Sequence, residues 1–204
     1  HEGNKDKFRQ LVAMCRECAQ KTNGYQPVTI LQLTHSGRYS RPFDNGAPMV
    51  AQHDPLLDPL VGITGNYPVV TDTYLEALQE KYVQAALLAK EAGFDGVDIK
   101  ACHRYLVSEL LASHTREGKF GGSFENRKAT GEKFIIASRF NVFDSHPYPY
   151  GWGVNHENEW IPDLEEPLEL VRLMVQNGVN LLSNSAGNPY YRFPQVTRPF
   201  DLPV

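Results

Sequence analysis

The sequence is short of cysteine, of basic charge and of long apolar runs, and each shortage excludes something. Three cysteines in 204 residues are too few, and odd in number, for a disulfide framework; the default compartment is a reducing cytoplasm. Lys and Arg number 20 against 24 Asp and Glu, a net charge of −4, so nothing electrostatic points to nucleic acid or an anionic membrane as partner. No apolar stretch can span a bilayer, and there is no signal-peptide pattern or polybasic tail. No internal repeat is visible. An initiator methionine is also missing: the chain opens on His1-Glu2-Gly3 and is expected to be a piece of something longer. Cys15 and Cys18 form a lone C-x-x-C inside a helical pattern, with no second pair. Zinc and iron–sulfur centres need four closing ligands, so no metal site is expected.

What is present is a soluble globular composition, 41% hydrophobic and 22% charged, sized for one domain over residues 1–204. Residues 6–20 carry an apolar stripe at steps of three and four (Phe8, Leu11, Val12, Cys15, Cys18, Ala19), with Asp6 as N-cap and Asn23-Gly24 as the stop. Residues 71–91 make the clearest helix, capped by Thr71 or Asp72 and followed by Gly93. Residues 105–113 suit a short helix, and Asp163 opens another over 164–176. Short β-branched or apolar runs at 27–33, 96–99, 134–139 and 179–182 read as buried parallel strands. Long Pro-, Gly- and Asn-rich loops fill 43–67 and 141–162.

Strands alternating with helices predict an α/β fold with a parallel sheet. Polar residues gather just after the strands, where substrates bind in such folds. The densest group is Lys100, His103 and Tyr105, following the strand 96–99; Gln32 and Arg139 close two neighbouring strands. A complete (β/α)8 barrel takes about 250 residues, so four strands predict an incomplete TIM-type barrel. One connection, around 127–132, is too short for a crossover helix.

Three segments carry a resemblance: Gln32-Leu33-Thr34-His35-Ser36-Gly37-Arg38, residues 92–106 (AGFDGVDIKACHRYL), and Lys119-Phe120-Gly121-Gly122-Ser123-Phe124-Glu125-Asn126-Arg127. In that order they resemble the QLxHxGR, AGFDGVEIHxAHGYL and YGGSxENR forms of the old yellow enzyme family of FMN-dependent NAD(P)H:flavin oxidoreductases. The likeness covers roughly 28–187 and departs twice, with Lys100 where the family has His and Arg104 where it has Gly. It implies a flavin barrel whose first two strands, last strands and FMN phosphate loops lie outside this chain.

The resemblance also implies roles. Gln32 contacts the flavin, and Arg139 places a cation beside its electron-accepting edge. Lys100 and His103 hold an electron-withdrawing oxygen of a small-molecule alkene or carbonyl substrate, and Tyr105 donates a proton. NADH or NADPH is the reductant. From the residues alone, the same groups are a polar residue satisfied inside the barrel (Gln32), salt-bridge members (Arg139, Lys100), a structural histidine (His103) and a packed aromatic ring (Tyr105). Two other functions stay open: a barrel lyase or isomerase using Lys100 as base or Schiff-base amine, and a non-catalytic fragment whose open sheet edges favour self-association. His35 and Arg38 are either ligand contacts or positioning residues. The aromatic loop 144–155 is either a cover for the substrate mouth or ordinary surface.

Overall fold

A computed structural model describes residues 2–42, 45–128, 137–179 and 181–191. The elements run α1 (Lys5–Asn23), β1 (Ile30–Leu33), α2 (Asp72–Glu91), β2 (Gly96–Ala101), α3 (Leu106–Leu111), α4 (Phe124–Lys128), β3 (Ala137–Phe143), α5 (Glu165–Gln176) and β4 (Leu181–Ala186). The four strands pair in sequence order, all parallel, which is the alternation the sequence predicts.

The helix signals act much as read. Thr71 caps α2, its Oγ1 accepting the Tyr74 N–H at 3.1 Å, and Gly93 follows at φ 92. In α1 the expectation for Asp6 is corrected. The cap lies two residues earlier: Asn4 stands there without a side-chain bond, the helix opens at Lys5, and Asp6 lies in the first turn, where its charge suits the helix dipole. The stripe of α1 is barely used, since only Val12 is buried. Ion pairs tie this helix down instead, from Lys5 to Glu91 at 2.9 Å and from Arg16 to Asp95 at 2.8 Å.

The strands differ from expectation at their ends. β1 starts at Ile30 rather than at 27. β2 runs on through Lys100 and Ala101, so Lys100 is a strand residue and not the first residue past it. β3 continues four residues beyond Arg139, and β4 takes in Ser183, Asn184 and Ser185, which look like loop in sequence. Ladder pairing explains the extension: Lys100 faces Arg139, and Asn141 faces Ser185. Neighbouring backbone hydrogen bonds hold these polar residues extended whatever their local preference. The first half of the third strand and the short connection, residues 129–136, lie outside the described residues.

One sheet face is apolar and covered by helices. Ile99, Ala101 and Phe140 pack with Trp152, Leu170 and Met174, and Leu33 and Leu182 lie against them. Full burial of one such side chain stabilises by about 1.5–3 kcal/mol. A second cluster, with Leu75, Leu106, Leu110 and Phe120, joins α2 to α3. Trp152 therefore puts part of the aromatic loop in the core, and its Nε1–H donates to the Asn141 carbonyl at 2.9 Å. Gly37 fixes how the loop after β1 meets α3. It sits at φ +59, and a Cβ there would lie 2.7 Å from the Leu106 nitrogen, so the turn and the close approach both require glycine. No described helix is long and apolar enough to cross a membrane.

Candidate active site

Strand alternation sends every second side chain to the face opposite the helices. In register that face carries Gln32 beside Asp98, then Lys100 beside Arg139, and Ser183 beside Arg139. A hollow of about 350 Å³ opens there, lined by Ile30, Gln32, Asp98, Ser138, Leu181 and Ser183. A larger one of about 590 Å³, between His114, Tyr148, His156 and the acidic first turns of α5, shares no lining residue with it.

Asp98, which the sequence reading passed over, organises this face. Its carboxylate accepts the Gln32 Nε2–H at 2.6 Å and the Arg139 backbone N–H at 2.7 Å. A carboxylate only accepts, so the Gln32 amide turns its nitrogen to Asp98 and leaves Oε1 without a partner among the described residues. Arg139 Nε is likewise buried with no partner among them. Asp98 lies two residues before Lys100, so strand alternation was the signal that could have found it.

Past β2 the chain reverses through two left-handed residues, His103 at φ 61 and Arg104 at φ 56. The reversal lays Tyr105 under Lys100, whose Nζ is 3.2 Å from the ring centroid, a cation–π contact worth about 0.5–2 kcal/mol. His103 is half-buried. Burial lowers its pKa, and the charges of Lys100 and Arg139 lower it further, so the imidazole is neutral at pH 7 and donates through one N–H. Tyr105 also bonds Tyr190, whose phenol is pushed up to about 12 by burial and then by that bond. Tyr39 stacks on Tyr190 at 3.9 Å and lies 5.8 Å from Tyr105. Neither tyrosine has a sequence signature, because loops far apart in the chain deliver them.

Beneath this surface lies a buried ionic layer. Arg104 reaches Asp144 at 3.2 Å and Asp54 at 3.3 Å, all three side chains fully buried, and His146 Nε2 meets Asp54 at 2.8 Å. Burial alone would raise the Asp54 pKa, but the His146 hydrogen bond and the Arg104 charge outweigh it and hold the carboxyl far below its usual range. Arg104 thus holds a left-handed position, and its ion pairs offset the strain. Arg38 is a positioning residue, buried against Glu109 and against Asp58 at 2.7 Å. So is His35: its Nδ1 accepts the Gly37 N–H at 3.0 Å, which leaves Nε2–H to donate to Tyr74 Oη at 2.8 Å. Gly121 belongs to a tight loop, where a Cβ would meet the Arg116 carbonyl at 2.3 Å.

All five sequence-derived residues therefore fall into one region: Gln32, Lys100 and Arg139 share the inner sheet face, and His103 and Tyr105 cap its C-terminal end. Gln32 Oε1 as acceptor and Arg139 Nε as donor, both without protein partners among the described residues, fit a planar heterocycle that offers both kinds of polar edge.

Residues 8–135 match the profile of the NADH:flavin oxidoreductase / NADH oxidase family. An NADH oxidase from Thermoanaerobacter brockii is 28% identical over 186 residues, covering 90% of this chain and 28% of that protein. An NADPH dehydrogenase from Bacillus velezensis is 31% identical over 161 residues, covering 77% of this chain and 45% of that protein. Among solved structures, the old yellow enzyme from Trypanosoma cruzi superposes with a TM-score of 0.61 at 18% identity, covering 92% of this chain and 56% of that one. A morphinone reductase in complex with tetrahydroNAD gives 0.63 at 20% identity, covering 89% and 53%. The chain spans between 12% and 50% of the length of these and other curated relatives it matches. The structural likeness shows the fold, an incomplete TIM-type α/β barrel.

Proposed function

The chain belongs to the NADH:flavin oxidoreductase / NADH oxidase family, and on that premise we propose that it forms, as one domain, the catalytic face of an FMN-dependent NAD(P)H oxidoreductase acting on activated alkenes. The observation that carries this reading is a pair of polar atoms without partners among the described residues, Gln32 Oε1 and the buried Arg139 Nε, on the same face as Lys100. Bound FMN, reduced by NADH or NADPH, supplies the hydride. The protein's own groups do the rest. Gln32 and Arg139 hold the ring, with Asp98 fixing the amide's orientation. Lys100 and the neutral His103 grip the electron-withdrawing group of a small-molecule substrate and polarise its double bond. Tyr105 gives its phenolic proton to the α-carbon, and Tyr190 is placed to hydrogen-bond the phenolate left behind. The cytoplasm is the proposed location, and a homo-oligomer the proposed assembly.

The test is FMN affinity, read by quenching of flavin fluorescence on titration into the intact gene product. Gln32→Ala removes one neutral hydrogen bond and is expected to weaken binding about 3- to 10-fold; Arg139→Ala removes a charged one and is expected to weaken it about 10- to 100-fold. Unchanged affinity in both variants would remove the flavin from this face.

A further inference from the structure

Lys100 and its ladder neighbour Arg139 differ from the buried arginines among the described residues in having no carboxylate partner there. Among the described residues the buried arginines are all matched by carboxylates: Arg38 by Glu109 and Asp58, Arg104 by Asp54 and Asp144, Arg116 by Asp72, Arg127 by Glu166. Lys100 is half-buried, yet no carboxylate among the described residues lies within ion-pair distance of it. The nearest acid on its strand face, Asp98, is already engaged by the Gln32 amide and the Arg139 backbone. Its ladder neighbour is a second cation, Arg139, and the adjacent imidazole, His103, carries no charge of its own. The ammonium rests on the Tyr105 ring face, a contact that orients it but leaves its N–H donors and its net charge unmatched.

We infer that Lys100 is the counter-ion for an anionic substrate group, so that the alkene reduced at this face is activated by a carboxylate rather than by a neutral ketone or aldehyde. This rests on the flavin-reductase reading and adds the substrate class to it. A half-buried cation beside a second cation is matched by a bound carboxylate as it cannot be by a neutral carbonyl. The geometry allots the roles. One carboxylate oxygen takes the ammonium and the other takes the single N–H of His103, while Tyr105, held beneath the ammonium, stays next to the adjoining carbons. Charging the substrate oxygen through lysine also compensates for the weaker electron withdrawal of a carboxylate.

Benzoate and benzamide, matched in shape and differing in charge, are the probes, with binding measured by calorimetry on the intact gene product both with and without FMN. The wild type is expected to bind benzoate at least about tenfold tighter than benzamide. Added salt should weaken benzoate alone. Lys100→Met should abolish the preference, and Lys100→Arg should restore most of it. Equal binding of the two probes by the wild type, or a preference that survives in Lys100→Met, overturns the inference. The two layers separate cleanly. A protein that takes up FMN but shows no preference refutes the anion site and leaves the flavin reading standing. A protein that prefers benzoate but binds no FMN does the reverse.

Discussion

Replacing Arg104 by methionine is expected to lower the free energy of unfolding by about 3–5 kcal/mol, the usual cost of removing one partner from a buried ion pair. Here the loss strands two fully buried carboxylates, Asp54 and Asp144, and leaves His146 as a remaining hydrogen-bond partner of Asp54. Backbone strain gives the experiment a second arm. Arg104 is left-handed at φ 56, a conformation that costs a residue with a side chain about 1–2 kcal/mol. Arg104→Gly loses the ion pairs but sheds that strain, so it should be less destabilised than Arg104→Ala by about 1 kcal/mol. Urea unfolding of the three variants orders them. If glycine proves as stable as arginine, the ionic layer contributes nothing net. The same layer sets an acid limit. The Asp54 pKa is lowered in the fold, so its contribution is fully present above the unfolded value near 3.9 and is lost as the pH falls below it toward the folded value.

Tyr105→Phe is expected to slow reduction of an activated alkene by about 100- to 10,000-fold, the range for removal of a positioned general acid. Only the hydroxyl is lost, so the ring that carries the Lys100 ammonium remains and substrate binding should change far less than turnover. Stopped-flow kinetics separate the two halves of the reaction. Flavin reduction by NAD(P)H needs no proton from Tyr105 and should fall by less than tenfold, with the loss confined to reoxidation by the alkene. A variant that reoxidises at the wild-type rate would move the acid elsewhere, with Tyr190, the hydrogen-bonded neighbour of Tyr105, the first place to look.

Much of this was legible in the residues. The strand–helix alternation, the cap at Thr71 and the gathering of Gln32, Lys100, His103, Tyr105 and Arg139 in one region could be read because each depends on a local pattern, a contiguous motif or a strand end. Strand ends were misread where polar residues, from Lys100 through Ser185, are extended by their ladder partners rather than by their own preference. The ionic layer was invisible for a related reason. Asp54, Asp144 and His146 lie in irregular loops, 50 and 40 residues from Arg104 for the two acids, and no periodicity links groups that meet only in the fold. The departures from the family pattern were visible, but their meanings needed coordinates: Arg104 as the centre of a buried ionic layer, Lys100 as a cation without a counter-ion among the described residues.

The central claim is that the Gln32–Arg139 face holds a redox-active flavin. Anaerobic absorbance spectroscopy of the FMN-reconstituted intact gene product, titrated with NADH and with NADPH, tests it most directly. The predicted result is a yellow protein whose flavin band bleaches with one of the two nicotinamides and returns when an α,β-unsaturated carboxylate is added. A protein that stays colourless after incubation with FMN, or a bound flavin that neither nicotinamide bleaches, would contradict it.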